Sequence, residues 1–311
     1  MSTDPIGDGL LGLCAGATEP VMLVAPFMKA GAFARVLAAV PSAVPVTCVT
    51  RWRPDEVAAG VSDLEVFDAI KARSNAKLFL HPHLHAKYYR SGSCALVGSA
   101  NLTGRALGWT QPSNLEILIA ANPLDAEIAA FEVELFSQVI PADDQIRLAV
   151  EAAALGLKAA APKLPAWHLQ PTTNEAFSSR YWLPTCPRPD LLFRVYEGSI
   201  GDILLAHSIS LAESDLAFLE PPLGLGEAAF NGFVGAMVRQ VKSMQDLDQL
   251  TNQGLTDNVA ADTIRKSLPE GHDFSPEGLW SVAKDWLIHF FPDQYDRVPA
   301  GEMLRKRRRS I

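Results

Sequence analysis

Between residues 81 and 104 the chain reads "HPHLHAKYYRSGSCALVGSANLTG", and the side chains most able to do chemistry together are gathered here. His81, His83 and His85 alternate, Lys87 follows two residues later, and a Gly-Ser-Ala-Asn run occupies Gly98 to Asn101. Residues spaced by two on extended chain share a face. Three imidazoles on one face could ligate zinc. Pro82 interrupts the alternation, however, neighbours along one strand rarely converge on one ion, and neither an HExxH spacing nor a fourth ligand is visible. His85 and Lys87 suit a different task. A neutral imidazole can attack phosphorus, an ammonium beside it neutralises phosphate charge, and the Ser99 hydroxyl and Asn101 amide add donors for the non-bridging oxygens. Gly98 lets backbone approach closely. A histidine-rich strand end without chemistry is the remaining reading.

The elements around this stretch alternate. "VMLVAPF" (Val21 to Phe27) and the β-branched "VPVTCVT" (Val44 to Thr50) read as buried strands. Between them Phe33, Val36, Leu37 and Val40 form one helical stripe. "SDLE" (Ser62 to Glu65) has the form of a capping box opening a helix to about Ala72. "AKLFLH" (Ala76 to His81), "CALVG" (Cys94 to Gly98) and "LEILIA" (Leu115 to Ala120) read as three further strands, and a helix carries Ile128, Phe131, Leu135 and Val139. Strands alternating with helices predict an α/β layered domain over residues 1–157, a mixed sheet flanked by helices. In such sheets functional groups gather where strands end.

A Pro-rich linker follows over 158–189, then a smaller mixed α/β domain over 190–311. "DLLFRVYEG" and "DILLAHSISL" suggest paired strands, Phe230, Phe233, Val234, Met237 and Val241 a helix, and Ser275 with Pro276 the start of a last helix carrying Leu279, Val282, Ala283, Trp286 and Phe290 inward. "ADTIRKSL" has helical spacing with two basic residues, too little to define a helix-turn-helix.

The ordered set in "HAKYYRSGSCALVGSANLTG", His-x-Lys, a strand, then Gly-Ser-x-Asn, resembles the signature of the phospholipase D superfamily. The resemblance covers about the first 150 residues. It implies a phospholipase D-like layered domain in which His85 is the nucleophile and forms a phosphohistidine, Lys87 and Asn101 hold the phosphoryl oxygens, and Ser99 assists. It further implies that Glu116, in "SNLEILIA", binds the Nδ1 proton of His85 and leaves Nε2 to attack. No metal or other cofactor is called for. Two departures matter. The aspartate that often stands seven residues after the histidine is Gly92 here, and only one motif is present. His207 is followed by Ser208 and Ile209, with no lysine at the matching position. Single-motif members resemble half a site and complete it by pairing about a two-fold axis. The expected unit is therefore a homodimer with one composite site.

Single-motif members without secretion signals resemble nucleases, including restriction-type enzymes with an added C-terminal module. Arg51 and Arg53, after the second strand, could grip a nucleic-acid backbone. Alternatively they pair with Asp55 and Glu56 in an ordinary exposed loop. Arg105, after the Asn101 turn, is a third candidate. The net charge of −8 confines any nucleic-acid contact to a local cationic patch. The run "RKRRRS" (Arg305 to Ser310) is either a solvated terminus or a phosphate-attracting arm. No signal peptide or transmembrane-length apolar run is evident, so a cytoplasmic location without membrane contact is expected. Cys48 and Cys94 read as small buried thiols. The expected activity is metal-independent cleavage of nucleic acid, in phage defence or restriction, with operon-encoded partners in view. A phospholipid phosphodiesterase and a non-catalytic binding or scaffolding subunit are the alternatives.

Overall fold

The computed structural model describes residues 5–160, 182–199, 206–252, 254–268, 274–297 and 303–306. The chain divides into two compact units, Met1–Ala154 and Leu155–Ile311. The expected boundary at 157 falls inside a continuous helix, Asp144–Ala160. Most of the expected linker lies outside the described residues.

The first unit is α/β. After α1 (Ile6–Ala15) come β1 (Val21–Val24), α2 (Ala30–Ala39), β2 (Val46–Thr50), α3 (Pro54–Ala58), α4 (Val66–Lys71) and β3 (Ala76–Leu80). Then follow β4 (Tyr88–Ser91), β5 (Cys94–Gly98), β6 (Leu118–Ala121), α5 (Ala126–Gln138), β7 (Ile140–Pro141) and α6 (Asp144–Ala160). The strands form one sheet in the order β6-β5-β4-β1-β2-β3-β7. β1, β2 and β3 run parallel, and β4, β5, β6 and β7 join antiparallel. The register pairs Val24 with Tyr88, Tyr88 with Val97, Gly98 with Leu118, and Leu80 with Ile140. The carboxyl ends of β1, β2, β3 and β5 and the starts of β4, β6 and β7 therefore share one end of the sheet. On one face Val24, Val49, Tyr88 and Ala95 pack with Leu135 and Val139 of the α5 region. Coverage on both sides explains why β1 and β2 read as unbroken apolar runs.

Ser62–Glu65 does not act as a capping box. Asp63 turns instead to α2, accepting the Ala30 N–H at 2.8 Å and the Lys29 ammonium, while the buried Ser62 hydroxyl has no hydrogen-bond partner among the described residues. Long-range capping of a helix that lacks its own side-chain cap takes precedence over the local pattern. Cys48 is buried as expected, but Cys94 is exposed at the start of β5. β4 is bounded by a two-residue turn at Gly92 and Ser93. Gly92 has φ +55°, and a Cβ there would lie 2.7 Å from the Glu19 carboxylate. An aspartate at 92 would have to adopt that left-handed conformation beside another carboxylate.

The second unit does not pair strands at its start. Residues 192–196 form α7 (Leu192–Tyr196), and α8 (Ala206–Leu219) and α9 (Glu227–Val238) follow. Phe193 and Tyr196, three apart on α7, both pack on Phe230 of α9, and Gly198 at φ +73° ends the turn. A short apolar run of this length fits helix and strand equally, and aromatic packing decided it. Of the expected second strand, residues 202–205 lie outside the described residues, and 206–211 form the start of α8 instead. The rest of the unit is α10 (Lys242–Thr251), β8 (Leu255–Thr256), α11 (Asp257–Ser267), α12 (Pro276–Phe290), β9 (Tyr295–Arg297) and β10 (Met303–Lys306). Its antiparallel sheet has the order β8-β10-β9. Helix, strand, two helices and a hairpin in this order, with the last strand in the centre of the sheet, is the winged-helix arrangement. Thr256 caps α11 and Ser275 caps α12, the latter accepting the Gly278 N–H at 2.9 Å. Asp257 joins the pair by accepting from the Trp280 indole at 2.6 Å and from Lys284 at 2.9 Å.

Gly98 is the tightest point of the sheet, since an added Cβ would stand 1.9 Å from the Ile117 carbonyl oxygen. Both sides of that contact are backbone. Gly98→Ala is therefore expected to cost about 1–3 kcal/mol, read as a lower urea midpoint at unchanged m-value. An unchanged midpoint would show that β6 is not held against β5 in this way.

Candidate active site

All five expected catalytic residues lie at the shared end of the sheet. His85 and Lys87 occupy the approach to β4, Ser99 and Asn101 the exit of β5, and Glu116 the approach to β6. The segment 81–87 is pinned at its start, where the His81 N–H bonds the Thr50 carbonyl at 2.9 Å. A turn at Pro82–His83 follows. It takes the three histidines off a common strand face, leaving His81 half-buried and His83 and His85 exposed. Among the described residues no group of three or more His, Cys, Asp or Glu side chains is placed to hold a metal ion.

Two clamps fix β4 behind the motif. The buried Tyr89 hydroxyl donates to the Ala100 carbonyl at 2.7 Å, tying β4 to the turn that carries Ser99 and Asn101. From α5, Glu132 accepts from the Tyr88 hydroxyl at 2.5 Å and from Arg90 at 2.6 Å. The Asn101 turn is held from the other side, because Phe27 donates its N–H to Asn101 Oδ1 at 3.3 Å and Leu102 bonds Phe27 and Lys29 through backbone. With its oxygen so engaged, Asn101 has its amide Nδ2 to offer as donor. That is the polarity a phosphoryl oxygen needs.

Glu116 departs from its expected partner. Its carboxylate accepts from the Ser99 hydroxyl and from Asn114 Nδ2, the latter at 3.1 Å, and not from the His85 ring. Ser99 in turn accepts the Ile117 N–H at 3.1 Å, so its hydroxyl is committed to β6 and Glu116. Glu116 also lies close enough to Lys87 to favour the ammonium. The carboxylate thus braces Ser99.

Lys87 donates to the His85 carbonyl at 2.7 Å, which folds the ammonium back beside the imidazole's own residue. Desolvation, followed by the positive charges of Lys87 and Arg51, lowers the His85 pKa from its ordinary 6.5. The same effects, desolvation first and Arg51 next, lower that of Lys87, with Glu116 opposing. The shift favours the neutral form of the His85 ring.

The arginines expected on the rim are occupied. Arg51 is bidentate to Glu56, with Nε to Oε2 at 3.0 Å, and its Nη1 donates to the Leu84 carbonyl at 2.9 Å. Arg53 is buried and its Nε donates to Asp55 at 3.3 Å. The pairing with Asp55 and Glu56 is the alternative the sequence offered, but it is formed inside the protein, since Glu56 and Arg53 are both buried. Neither guanidinium is presented as an open fork for a phosphate. Arg105 is exposed, and its carbonyl receives the Gly108 and Asn114 N–H groups that shape the turn before Glu116. Sequence reasoning missed Tyr89, whose place within the motif stretch was its only signal, and Glu132 on α5, for which the sequence carried none, and it gave Glu56 no role beyond neutralising a loop.

No family model matches the chain, and no curated protein does. Among solved structures three likenesses stand out, all at low identity. The first is NucT from Helicobacter pylori, at 14% identity and TM-score 0.36, covering 43% of this chain and 89% of that one. The second is the phospholipase D family member Nuc from Salmonella typhimurium, at 17% identity and TM-score 0.35, covering 44% of this chain and 90% of that one. TrmBL2, an archaeal chromatin protein, follows at 11% identity and TM-score 0.29, covering 42% and 46%.

The lowered His85 pKa has a direct consequence. An NMR titration of the His85 ring, assigned by its disappearance in His85→Ala, is expected to place its midpoint below 6.5. Neutral imidazole then persists into mild acid. A midpoint above that value would show that Lys87 and Arg51 do not act on the ring.

Proposed function

We propose that the protein is a metal-independent phosphodiesterase of nuclease type, acting through a phosphohistidine on His85 in a site completed by a second copy of the chain. The observation that carries this reading is the convergence of His85, Lys87, Ser99, Asn101 and Glu116 at one end of one sheet. Neutral His85 attacks phosphorus through Nε2, and the bond from phosphorus to the leaving oxygen breaks. The leaving oxygen takes a proton from the His85 imidazolium of the second copy. That imidazole, now neutral, removes a proton from water, which attacks the phosphohistidine, releases a phosphomonoester and restores both rings. Lys87 and Asn101 Nδ2 steady the phosphoryl oxygens throughout. Glu116 positions Ser99.

An exposed apolar stripe supports the pairing of two chains. Leu115, Ile117 and Ile119 are 102%, 57% and 53% exposed on and before β6, the edge strand that also leads from Glu116. Apolar residues at alternate positions on an unpaired edge call for a partner, and the partner that covers them lies beside the site. The winged-helix unit supports nucleic acid as substrate, since such helix pairs and hairpins are used on duplex DNA. Exposed Glu277 and half-buried Asp285 give α12 an outward acidic character, and Lys284 is spent on Asp257. The basic run Arg305–Arg309 is the phosphate-attracting element we propose for this half. A cytoplasmic role in phage defence or restriction, alongside operon-encoded proteins, is the setting we propose. Among the described residues no helix is long and apolar enough to cross a membrane.

The test offers labelled single- and double-stranded DNA, RNA, phospholipid and a bis-aryl phosphodiester to the full chain in EDTA. Cleavage of nucleic acid is expected to survive EDTA and to fall by at least roughly a thousandfold in His85→Ala. Cleavage confined to lipid, or binding without cleavage, would replace the nuclease reading with the corresponding alternative. Cleavage that needs a metal would overturn the mechanism. Ile117→Glu is expected to convert a sedimenting dimer to monomer and abolish turnover together; an active monomer would sink the composite site. Replacing Arg305 to Arg309 by alanine is expected to weaken duplex binding and flatten its salt dependence, while bis-aryl phosphodiester cleavage is unchanged.

A further inference from the structure

Arg51 stands where a substrate-gripping arginine was expected, yet all three nitrogens of its guanidinium are used within the protein. Nε and Nη2 engage the two oxygens of Glu56, and Nη1 engages the Leu84 carbonyl, one residue before His85. The group also lies over the Phe27 ring at 5.2 Å. The two side chains are 14% and 4% exposed. A buried ion pair whose remaining donor reaches the backbone of the histidine segment is an expensive construction for a surface loop.

We infer that the Arg51–Glu56 pair is the positioning device of the site: it anchors the segment carrying His85 and Lys87 through the Leu84 carbonyl and maintains a fixed positive charge behind both. This rests on the reading of His85 as nucleophile. Arg51 itself does not bind phosphate. The charges facing His85 are Lys87 on its own segment and Arg51 from the end of β2. Glu116, from the approach to β6, faces Lys87, while His81, His83 and Arg53 lie on the Arg51 side. Burial pushes the Glu56 pKa above its ordinary value, and the contacts with Arg51 oppose that rise. Loss of Arg51 removes positive charge from His85 and frees Leu84, two effects with separate readouts.

Arg51→Met, Arg51→Lys and Glu56→Gln are compared in the full chain after their folding is checked by circular dichroism. In Arg51→Met the NMR-measured His85 pKa is expected to rise. Arg51→Lys keeps the charge and leaves that pKa near the parent value, and Glu56→Gln does not raise it. In turnover, both Arg51 variants are expected to lose roughly tenfold to a hundredfold in kcat with KM within about twofold, because misplacement and not substrate grip is lost. Duplex binding is then measured against salt in a His85→Ala background. A phosphate contact contributes about 0.9 to the slope of log K against log salt, and Arg51→Met is expected to leave the slope unchanged. A slope reduced by that amount with an unmoved His85 pKa would overturn the proposal and restore Arg51 as a phosphate clamp. If Arg51→Met does not fold, Arg51→Lys and Glu56→Gln decide it: an unaltered kcat in both would overturn the anchor. Should His85 prove dispensable for cleavage, the nucleophile reading fails, while the titration and the salt slope, which need no turnover, still judge Arg51.

Discussion

The site depends on how closely two backbones approach at the end of β5. Ser99 donates its N–H to the Ile117 carbonyl at 2.9 Å, and that carbonyl occupies the space a Cβ on Gly98 would need. Only glycine permits the approach. The approach in turn puts the Ser99 hydroxyl within reach of both the Ile117 N–H and the Glu116 carboxylate. Through Gly98 N–H to the Lys87 carbonyl at 3.3 Å, the same residue ties β5 to the last residue of the His-x-Lys motif. One glycine thus holds three strand ends in register, and five candidate side chains hang from those ends.

Charge is arranged against the overall balance of the protein. A chain of net charge −8 places Arg51 and Lys87 at one sheet end, beside three histidines whose pKa values are lowered from the ordinary 6.5. Its nearby carboxylates are assigned to particular partners, Glu56 to Arg51 and Glu116 to Ser99 and Asn114. Lys87 is left with its ammonium on a backbone carbonyl, a neutral partner that a phosphoryl oxygen can displace at modest cost. The two Glu116 oxygens are taken by Ser99 and Asn114, so the carboxylate makes no bond to the His85 ring.

Much of the first unit was legible because its signals are local. Apolar runs marked β1, β2, β3 and β5, and the Phe33–Val40 stripe marked α2. The failures share a cause: the deciding partner is distant in sequence. Asp63 caps α2 across more than thirty residues, so the Ser62–Glu65 pattern misled. α7 is helical because Phe193 and Tyr196 meet Phe230. The winged-helix arrangement emerges only from the pairing of the two-residue β8 with β10 near the end of the described chain. For the site, residue identities were legible and hydrogen-bond assignments were not, since a spacing says which face a side chain takes and nothing of which donor reaches a carboxylate first.

Gly92, where an aspartate was the expectation, is explained by the turn it occupies. The turn between β4 and β5 has two residues, and the first needs a positive φ. Glycine meets that need at no steric cost, and Arg90 Nε closes the turn on the Gly92 carbonyl at 2.7 Å. The work of anchoring β4 passes to the side chains that flank it, Arg90 with Tyr88 on Glu132 and Tyr89 on Ala100. An acidic side chain at 92 would crowd Glu19 and would duplicate an anchor that α5 already supplies through Glu132. The absence of that aspartate is therefore a change in how the hairpin is fastened, and it leaves the positions of His85, Lys87, Ser99 and Asn101 determined by contacts that do not involve residue 92.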